Sequence, residues 1–213
     1  MLKENLLLDS ARPFSDAIEI GPSGCRKRES AGVPTSCQNI SEPQWHVLRV
    51  SYSREMKIKN YLDEKGFETF VPMEWRNMEK NGRIERKLVP AVNNLCFVKA
   101  SREQLDTFIC GFGDTSPVHL YWDRTSSRPL TVRDKVMNDF IRVSSAIDKD
   151  IIYLKEISPK LRDGQDVKVK SGPFAGVEGK IVRIRKSRRI MVELPGMLAV
   201  ATTYISPVDV ELV

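Results

Sequence analysis

The residues best suited to chemistry in this chain are basic and lie in one short segment. Six of the ten side chains at positions 180–189 are Lys or Arg, and none is acidic. Alternation along a predicted strand places Arg183 and Arg185 on one outward face, with Lys186 and Arg188 at a hairpin tip. This density of positive charge is typical of a surface that binds the phosphates of RNA or a ribosomal surface. An ordinary solvated hairpin is the alternative interpretation.

Catalytic chemistry has no comparable support in the sequence. The two histidines, His46 and His119, both fall inside predicted strands, which favours a structural role. The glycine-containing segment at 21–24 lacks the Lys-Ser/Thr pair of a phosphate-binding loop. Carboxylates are scattered without a paired pattern. We therefore expect a protein that is not an enzyme and that needs neither a cofactor nor a metal.

The bulk composition is that of a globular protein with a mild preference for anionic partners. The 213 residues are 41% hydrophobic and 29% charged, with a net charge of +6. No apolar segment approaches the roughly 20 residues of a membrane span, and the start lacks a signal-peptide pattern. The four cysteines show no CxxC spacing, which predicts reduced thiols. We expect a cytoplasmic protein without membrane contact.

The first 41 residues are predicted to be a flexible extension. Glycine and proline interrupt this segment repeatedly, and its five basic and five acidic side chains balance. Order is predicted to begin at Trp45, in a strand over 45–50. Ser53 is a typical N-cap for a helix over 54–65.

The next elements predict an antiparallel sheet covered by helices. Asn81-Gly82 is a strong hairpin signal between strands at 73–80 and 83–90. A buried strand at 95–99 precedes a helix that opens with a capping box, Ser101 to Gln104. A strand at 118–122 and a helix through Val143 follow. The segment 42–143 therefore predicts an α+β fold.

The end of the chain predicts a small all-β barrel. Val167 and Val169 alternate with lysines, Gly172-Pro173 turns the chain, and further alternating stretches follow. We predict about five short strands over 163–213, closed so that no edge is exposed. Residues 144–162 are predicted to be a linker between the two folded segments.

Residues in the C-terminal segment resemble a KOW motif, in order and in spacing. This motif marks the C-terminal SH3-like barrel of NusG-type transcription elongation factors and of some ribosomal proteins. The agreeing positions are Gly164, Val167, Val169, Gly172-Pro173-Phe174, Gly176 and Gly179.

The N-terminal segment resembles the N-terminal domain of the NusG family. Residues 45–50 followed by 53–57 look like the opening strand and first helix of that domain. Residues 70–72 are similar to its second strand, and 95–98 to its central strand. The resemblance covers 45–213.

The resemblance implies RNA polymerase as a partner. In NusG relatives an apolar cavity of the N-terminal domain binds the clamp helices of the polymerase. By position, the resemblance assigns Tyr52, Val92, Leu95 and Phe97 to this cavity. Plain core packing is the alternative for these residues.

The resemblance also implies contact with nucleic acid. Relatives touch the non-template DNA strand near the start of the first helix, where Ser53, Arg54 and Lys57 stand in this chain. A solvated helix face is the alternative for these three. Nascent RNA, or a ribosomal protein bound through the KOW barrel, is the further partner that the resemblance suggests.

Three stretches, 48–50, 91–94 and 199–205, resemble the UpxY-type paralogues, which antiterminate capsular polysaccharide operons. Two departures oppose a housekeeping role. Asn93-Asn94-Leu95 replaces Pro-Gly-Tyr, and Val177 replaces an exposed aromatic that contacts Rho and a ribosomal protein. We expect a monomeric antiterminator that holds the polymerase clamp closed. A general NusG elongation factor and a ribosome- or RNA-binding KOW protein remain the alternatives.

Overall fold

The computed structural model describes residues 42–213 with short gaps. The gaps are residues 81, 114–115, 124–125, 147–149, 155–163, 185 and 195–196, together with the side chain of Lys80. The predicted extension over 1–41 therefore lies outside the described residues, as does Arg185.

The described residues form three α-helices, fifteen strands and a short 3-10 helix. The helices are α1 (Glu55–Glu64), α2 (Arg102–Cys110) and α3 (Asp134–Ser144), and the 3-10 helix is Pro207–Asp209. The strands are β1 (Gln44–Val50), β2 (Glu68–Phe70), β3 (Met73–Lys80), β4 (Arg83–Pro90), β5 (Leu95–Ala100), β6 (Val118–Leu120), β7 (Trp122–Asp123), β8 (Arg128–Pro129), β9 (Thr131–Val132), β10 (Ile152–Leu154), β11 (Asp166–Val169), β12 (Glu178–Ile184), β13 (Ser187–Leu194), β14 (Leu198–Ala201) and β15 (Val210–Leu212).

The first sheet, which we call the N-terminal sheet, is antiparallel and has helices on both faces. Its strands follow the order β2-β5-β1-β6, and β9 also pairs with β1. Side chains alternate between the faces with a period of two. Leu48 and Val98 pack with Leu62 of α1 on one face. Trp45 and Phe97 lie on the other face, in the same apolar cluster as residues of α3. The predicted α+β fold is confirmed.

The second sheet, the C-terminal sheet, has the order β10-β14-β13-β12-β11-β15. Five of these strands come from 163–213, as predicted, and they form the small β domain expected of a KOW motif. The sixth, β10, comes from the segment predicted to be a linker and pairs with β14, Ile152 opposite Ala201. β10 thereby covers an edge of β14 that would otherwise offer unpaired backbone groups. The exact domain boundaries stay a prediction.

Strands β3 and β4 form a separate two-stranded sheet, which we call the ribbon. Met73 pairs with Pro90 at its base and Lys80 with Arg83 at its tip. Gly82 has a φ of 72°, the left-handed conformation that a tight hairpin requires. The hairpin predicted from Asn81-Gly82 is confirmed.

Two local expectations were wrong. Ser53 does not cap α1: it has a φ of 51°, Arg54 occupies the N-cap position, and the helix has no side-chain cap. Arg188 does not lie at the hairpin tip between β12 and β13, since Ile184 pairs with Ser187 and Arg183 pairs with Arg188. This pairing matters because it decides which side chains of β13 face inward.

Candidate functional site

The loop between β1 and α1 presents an exposed aromatic ring beside a guanidinium group. Tyr52 is 81% exposed and has a left-handed φ of 61°. The guanidinium carbon of Arg54 lies 5.4 Å from the centre of the Tyr52 ring, a cation–π distance. Ser53 and Lys57 are also exposed. The structure thus brings one predicted polymerase residue and the predicted DNA residues to one end of α1.

A buried carboxylate holds this loop against the loop that precedes β5. Glu55, in the first turn of α1, is 2% exposed and accepts a hydrogen bond from the backbone N–H of Asn94. The backbone N–H of Val50 donates to the carbonyl of Asn94 at 3.0 Å. Sequence reasoning missed Glu55, because an acidic residue in a first helical turn is common and its partner lies 39 positions away.

The other predicted polymerase residues are not exposed with Tyr52. Leu95 is 5% exposed and Phe97 is fully buried, with its ring centre 5.7 Å from that of Phe140 in α3. Val92 is partly buried and packs against the same apolar cluster. The four residues therefore do not form one open cavity in this conformation.

Helix α3 also contacts the C-terminal sheet through a polar seam. The ammonium group of Lys135 donates to the carbonyl of Gly176 at 3.0 Å, and the guanidinium of Arg142 donates to the carbonyl of Ala175 at 2.6 Å. The Asp139 carboxylate accepts from the backbone N–H of Glu178 at 3.3 Å. Three side chains one helical turn apart thus bind the backbone of one tight turn.

An apolar cluster continues beneath this seam. Phe140 and Val143 of α3 belong to the same buried cluster as Phe97 on one side and Phe174 and Val177 on the other. Burial of Phe140 and Val143 removes the apolar side of α3 from water, which favours association. In this conformation α3 lies between the two sheets.

The basic segment divides into an exposed part and a buried part. Arg183, Lys186 and Arg188 are exposed, and Arg183 stands opposite Arg188 in the β12–β13 pairing. Two like charges directly opposite each other repel, which favours an anionic ligand between them.

Arg189, at the end of the basic segment, is not part of the exposed surface. It is 5% exposed and binds the backbone and carboxylate of Asp150 and the carbonyl of Thr202. It stands opposite the buried Val182, on the inward face. The pairing of Ile184 with Ser187 would have predicted this, since the strand period then points Arg189 inward.

Two titratable groups outside these surfaces have shifted pKa values. Burial raises the pKa of the Cys96 thiol to about 12, so this cysteine stays protonated. Burial, followed by the positive charge of Arg102, lowers the pKa of His46.

Among the residues that the structure describes, no group of three or more His, Cys, Asp or Glu could hold a metal ion. The described helices are all too short or too polar to span a membrane.

Comparison with known proteins gives two family matches and matches to solved structures. Residues 43–141 match the family of the transcription termination factor NusG, and residues 164–193 match the KOW motif. A solved structure of NusG from Thermotoga maritima, described for its domain interaction, has 19% sequence identity and a TM-score of 0.43. The match covers 81% of this chain and 98% of that one. No curated protein matches the chain.

The two family matches agree with the fold and follow each other in the order that the resemblance predicts. The match over 43–141 spans the N-terminal sheet, the ribbon and most of α3. The match over 164–193 spans β11, β12 and most of β13. Members of this family are transcription factors. The chain is therefore similar to NusG in its N-terminal part and carries a KOW motif near its end.

Proposed function

We propose that this chain is a specialised NusG-family regulator that binds RNA polymerase during elongation. It acts as a monomer and antiterminates a long operon of the capsular polysaccharide type. The observation that carries the proposal is the exposed Tyr52–Arg54 loop inside the segment that matches NusG. An exposed aromatic ring beside an arginine is a typical centre of a protein interface.

Two departures from the general family pattern support a specialised paralogue. Asn94, where general NusG proteins have glycine, keeps a left-handed φ of 64°, which Asn tolerates better than most residues. The loop geometry is therefore compatible with the substitution. Val177 is fully buried, so its position in the turn before β12 offers no aromatic ring to a partner. A general elongation factor is the second candidate.

Contact with the polymerase would begin at Tyr52. Phe97 packs against Phe140 of α3, and Leu95 is buried in the same apolar cluster, so their use would require α3 and the C-terminal sheet to leave the N-terminal sheet. Ser53, Arg54 and Lys57 are proposed to contact non-template DNA. The exposed Arg183, Lys186 and Arg188 are proposed to contact RNA or a ribosomal protein.

The test is capture of core RNA polymerase by the full chain. We expect the wild-type chain to retain polymerase and Tyr52→Ala to lower the retained amount by roughly ten-fold, as for a central interface residue. Tyr204→Ala is the matched control, because Tyr204 is 58% exposed and belongs to the C-terminal part of the chain. Equal loss with both variants would remove Tyr52 from the interface.

A wild-type chain that captures no polymerase would contradict the proposal and favour the ribosomal alternative. That alternative predicts co-sedimentation with ribosomes, weakened by salt and by Arg183→Glu with Arg188→Glu.

The specialised role in antitermination has its own test. Deletion of the gene should lower transcripts of the distal genes in one or a few long operons, whereas loss of a general factor would change many operons.

A further inference from the structure

Residues 51–54, which we call the tyrosine loop, are held at both ends by the backbone of one residue, Asn94. The backbone N–H of Val50, just before the loop, donates to the carbonyl of Asn94 at 3.0 Å. The side chain of Glu55, just after the loop, accepts a hydrogen bond from the backbone N–H of the same Asn94. One residue in the segment before β5 thus fixes the chain on both sides of the tyrosine loop.

The backbone inside this closed segment is strained. Five of the described residues other than glycine have a left-handed φ, and three of them lie here: Tyr52 at 61°, Ser53 at 51° and Asn94 at 64°. Asparagine tolerates this region, whereas a bulky residue such as tyrosine adopts it at a cost in free energy. A strained conformation persists only where the surrounding contacts enforce it, and such residues cluster at functional sites. The strain therefore indicates that the conformation of Tyr52 has a function.

Burial of the tyrosine ring does not explain the strain. Tyr52 is 81% exposed, and its ring lies 5.4 Å from the guanidinium carbon of Arg54. An exposed ring gains little from the hydrophobic effect, so folding alone gives no reason to hold it in a costly conformation. A ring that is already fixed, however, loses less conformational entropy when a partner covers it. The arrangement is that of a binding group ordered in advance.

Glu55 is the side chain that connects the strained loop to the rest of the N-terminal sheet and its helices. It is 2% exposed and lies in the first turn of α1. A buried carboxylate needs hydrogen-bond donors, and the Asn94 N–H is such a donor at the end of a helix that favours negative charge. Removal of the Glu55 oxygens would leave that N–H without its acceptor and release one end of the tyrosine loop.

We propose that Glu55 is a positioning residue for the polymerase interface: it holds the tyrosine loop so that Tyr52 has its binding conformation before a partner arrives. The inference rests on the proposed function, because it names the residue that orders the surface assigned there to polymerase. Glu55 itself is buried, so it acts through Tyr52 and not by touching the partner.

The first test measures affinity. Core RNA polymerase is titrated onto the immobilised full chain that carries Glu55→Leu, Tyr52→Ala or both substitutions. We expect Glu55→Leu to weaken binding several-fold in the wild-type background. In the Tyr52→Ala chain it should add less than about two-fold, because effects that pass through one group are not additive. Glu55→Gln keeps a side-chain oxygen for the Asn94 N–H and should restore most of the affinity.

Ser101→Ala is the control for a general loss of stability. It removes the N-cap of α2, at the start of a different helix, and leaves the tyrosine loop unchanged. The affinity of this control for polymerase should stay within about two-fold of the wild-type value, since distant sites act independently. Circular dichroism checks that each variant folds.

A second measurement needs no polymerase. In NMR spectra of the free full chain, the scalar coupling between the amide and α protons of a residue reports its φ, and the heteronuclear NOE reports fast backbone motion. We expect left-handed couplings at Tyr52 and Ser53 in the wild-type chain. Glu55→Leu should average these couplings and make the tyrosine loop more mobile, whereas Ser101→Ala should change neither.

Five results would overturn the inference. They are equal polymerase affinity of the wild-type and Glu55→Leu chains, losses that multiply in the double variant with Tyr52→Ala, no recovery with Glu55→Gln, an equal loss with Ser101→Ala, and unchanged couplings at Tyr52 in the Glu55→Leu chain. A wild-type chain that binds no polymerase would contradict the proposed function, and the NMR measurement would then decide by itself whether Glu55 positions the loop.

Discussion

Tyr52 and Phe97 were assigned to one cavity by resemblance, but their surroundings give them opposite physical roles. Tyr52 projects from a loop and is 81% exposed, whereas Phe97 is fully buried between Phe70 and Phe140. A buried aromatic contributes to stability through burial and packing, and an exposed one contributes mainly to binding. Stability and polymerase capture can therefore be separated by substitution at these two positions.

We expect Phe97→Ala to lower the free energy of unfolding by about 3–5 kcal/mol, because it leaves a cavity in the core. Tyr52→Ala should change it by less than about 0.5 kcal/mol, as for surface substitutions. Urea denaturation measures both. A large destabilisation by Tyr52→Ala would mean that its left-handed backbone, not its exposure, governs the effect.

His46 should make the fold sensitive to mild acid. Burial first, and then the charge of Arg102, lower its pKa below the ordinary 6.5, while Asp106 and a hydrogen bond with the Ala100 backbone oppose the shift. The unfolded chain then binds a proton near pH 6.5 that the folded chain does not bind. Stability is therefore lost as the pH falls from about 6.5 towards the folded-state pKa.

The check is urea denaturation at about pH 7.5 and about pH 5.5 for the wild-type chain and for His46→Gln. We expect the variant to lose less stability between the two pH values than the wild-type chain. An equal loss in both would show that other groups carry the pH dependence.

At the scale of elements, two helices with similar sequence signals begin differently. Ser101 caps α2 in a complete capping box: its hydroxyl accepts from the N–H of Gln104, whose side chain accepts from the N–H of Ser101. Ser53 precedes α1 by two residues and makes no cap. The difference arises because α1 begins where Glu55 is fixed by the neighbouring loop.

Ser101→Ala should therefore lower the free energy of unfolding by about 1 kcal/mol, the usual cost of a lost N-cap. Ser53→Ala should lower it by only a few tenths of a kcal/mol. Chemical denaturation of the two variants side by side makes the comparison. Similar losses would contradict the assignment of Arg54 to the N-cap position.

At the scale of the whole molecule, α3 couples the two sheets. Its apolar side chains enter the cluster that both sheets share, and its polar edge binds the turn at 174–178. Because Arg142 donates to a carbonyl, a carboxylate in its place would repel that carbonyl and leave it without its donor.

Arg142→Glu should weaken the association of the two sheets. Nuclear spin relaxation of backbone amides measures the rotational correlation time of each segment. We expect one common value for 43–141 and 164–213 in the wild-type chain and two shorter values in the variant. Arg83→Glu, an equal charge change on the ribbon, should keep the common value. Separate values in the wild-type chain would contradict the docked arrangement in solution.

Local patterns alone determined much of this protein. Asn81-Gly82 predicted the ribbon because a tight hairpin needs a left-handed residue, and Ser101 with Gln104 predicted the start of α2 because both partners of the cap lie within one turn. The alternation of apolar and polar residues predicted β11 to β13, because this pattern also lies within a few consecutive residues. The residues that resemble NusG and KOW also lie in continuous stretches, so both family matches could be predicted.

Tertiary structure alone decided what the site residues can do. The burial of Phe97, the inward position of Arg189, the pairing of β10 with β14 and the contact of α3 with the turn at 174–178 all join residues far apart in the chain. Local sequence carries no signal for such contacts, because they depend on which surfaces the completed sheets present to each other. Exposure, and therefore the division between core and binding surface, follows from that packing.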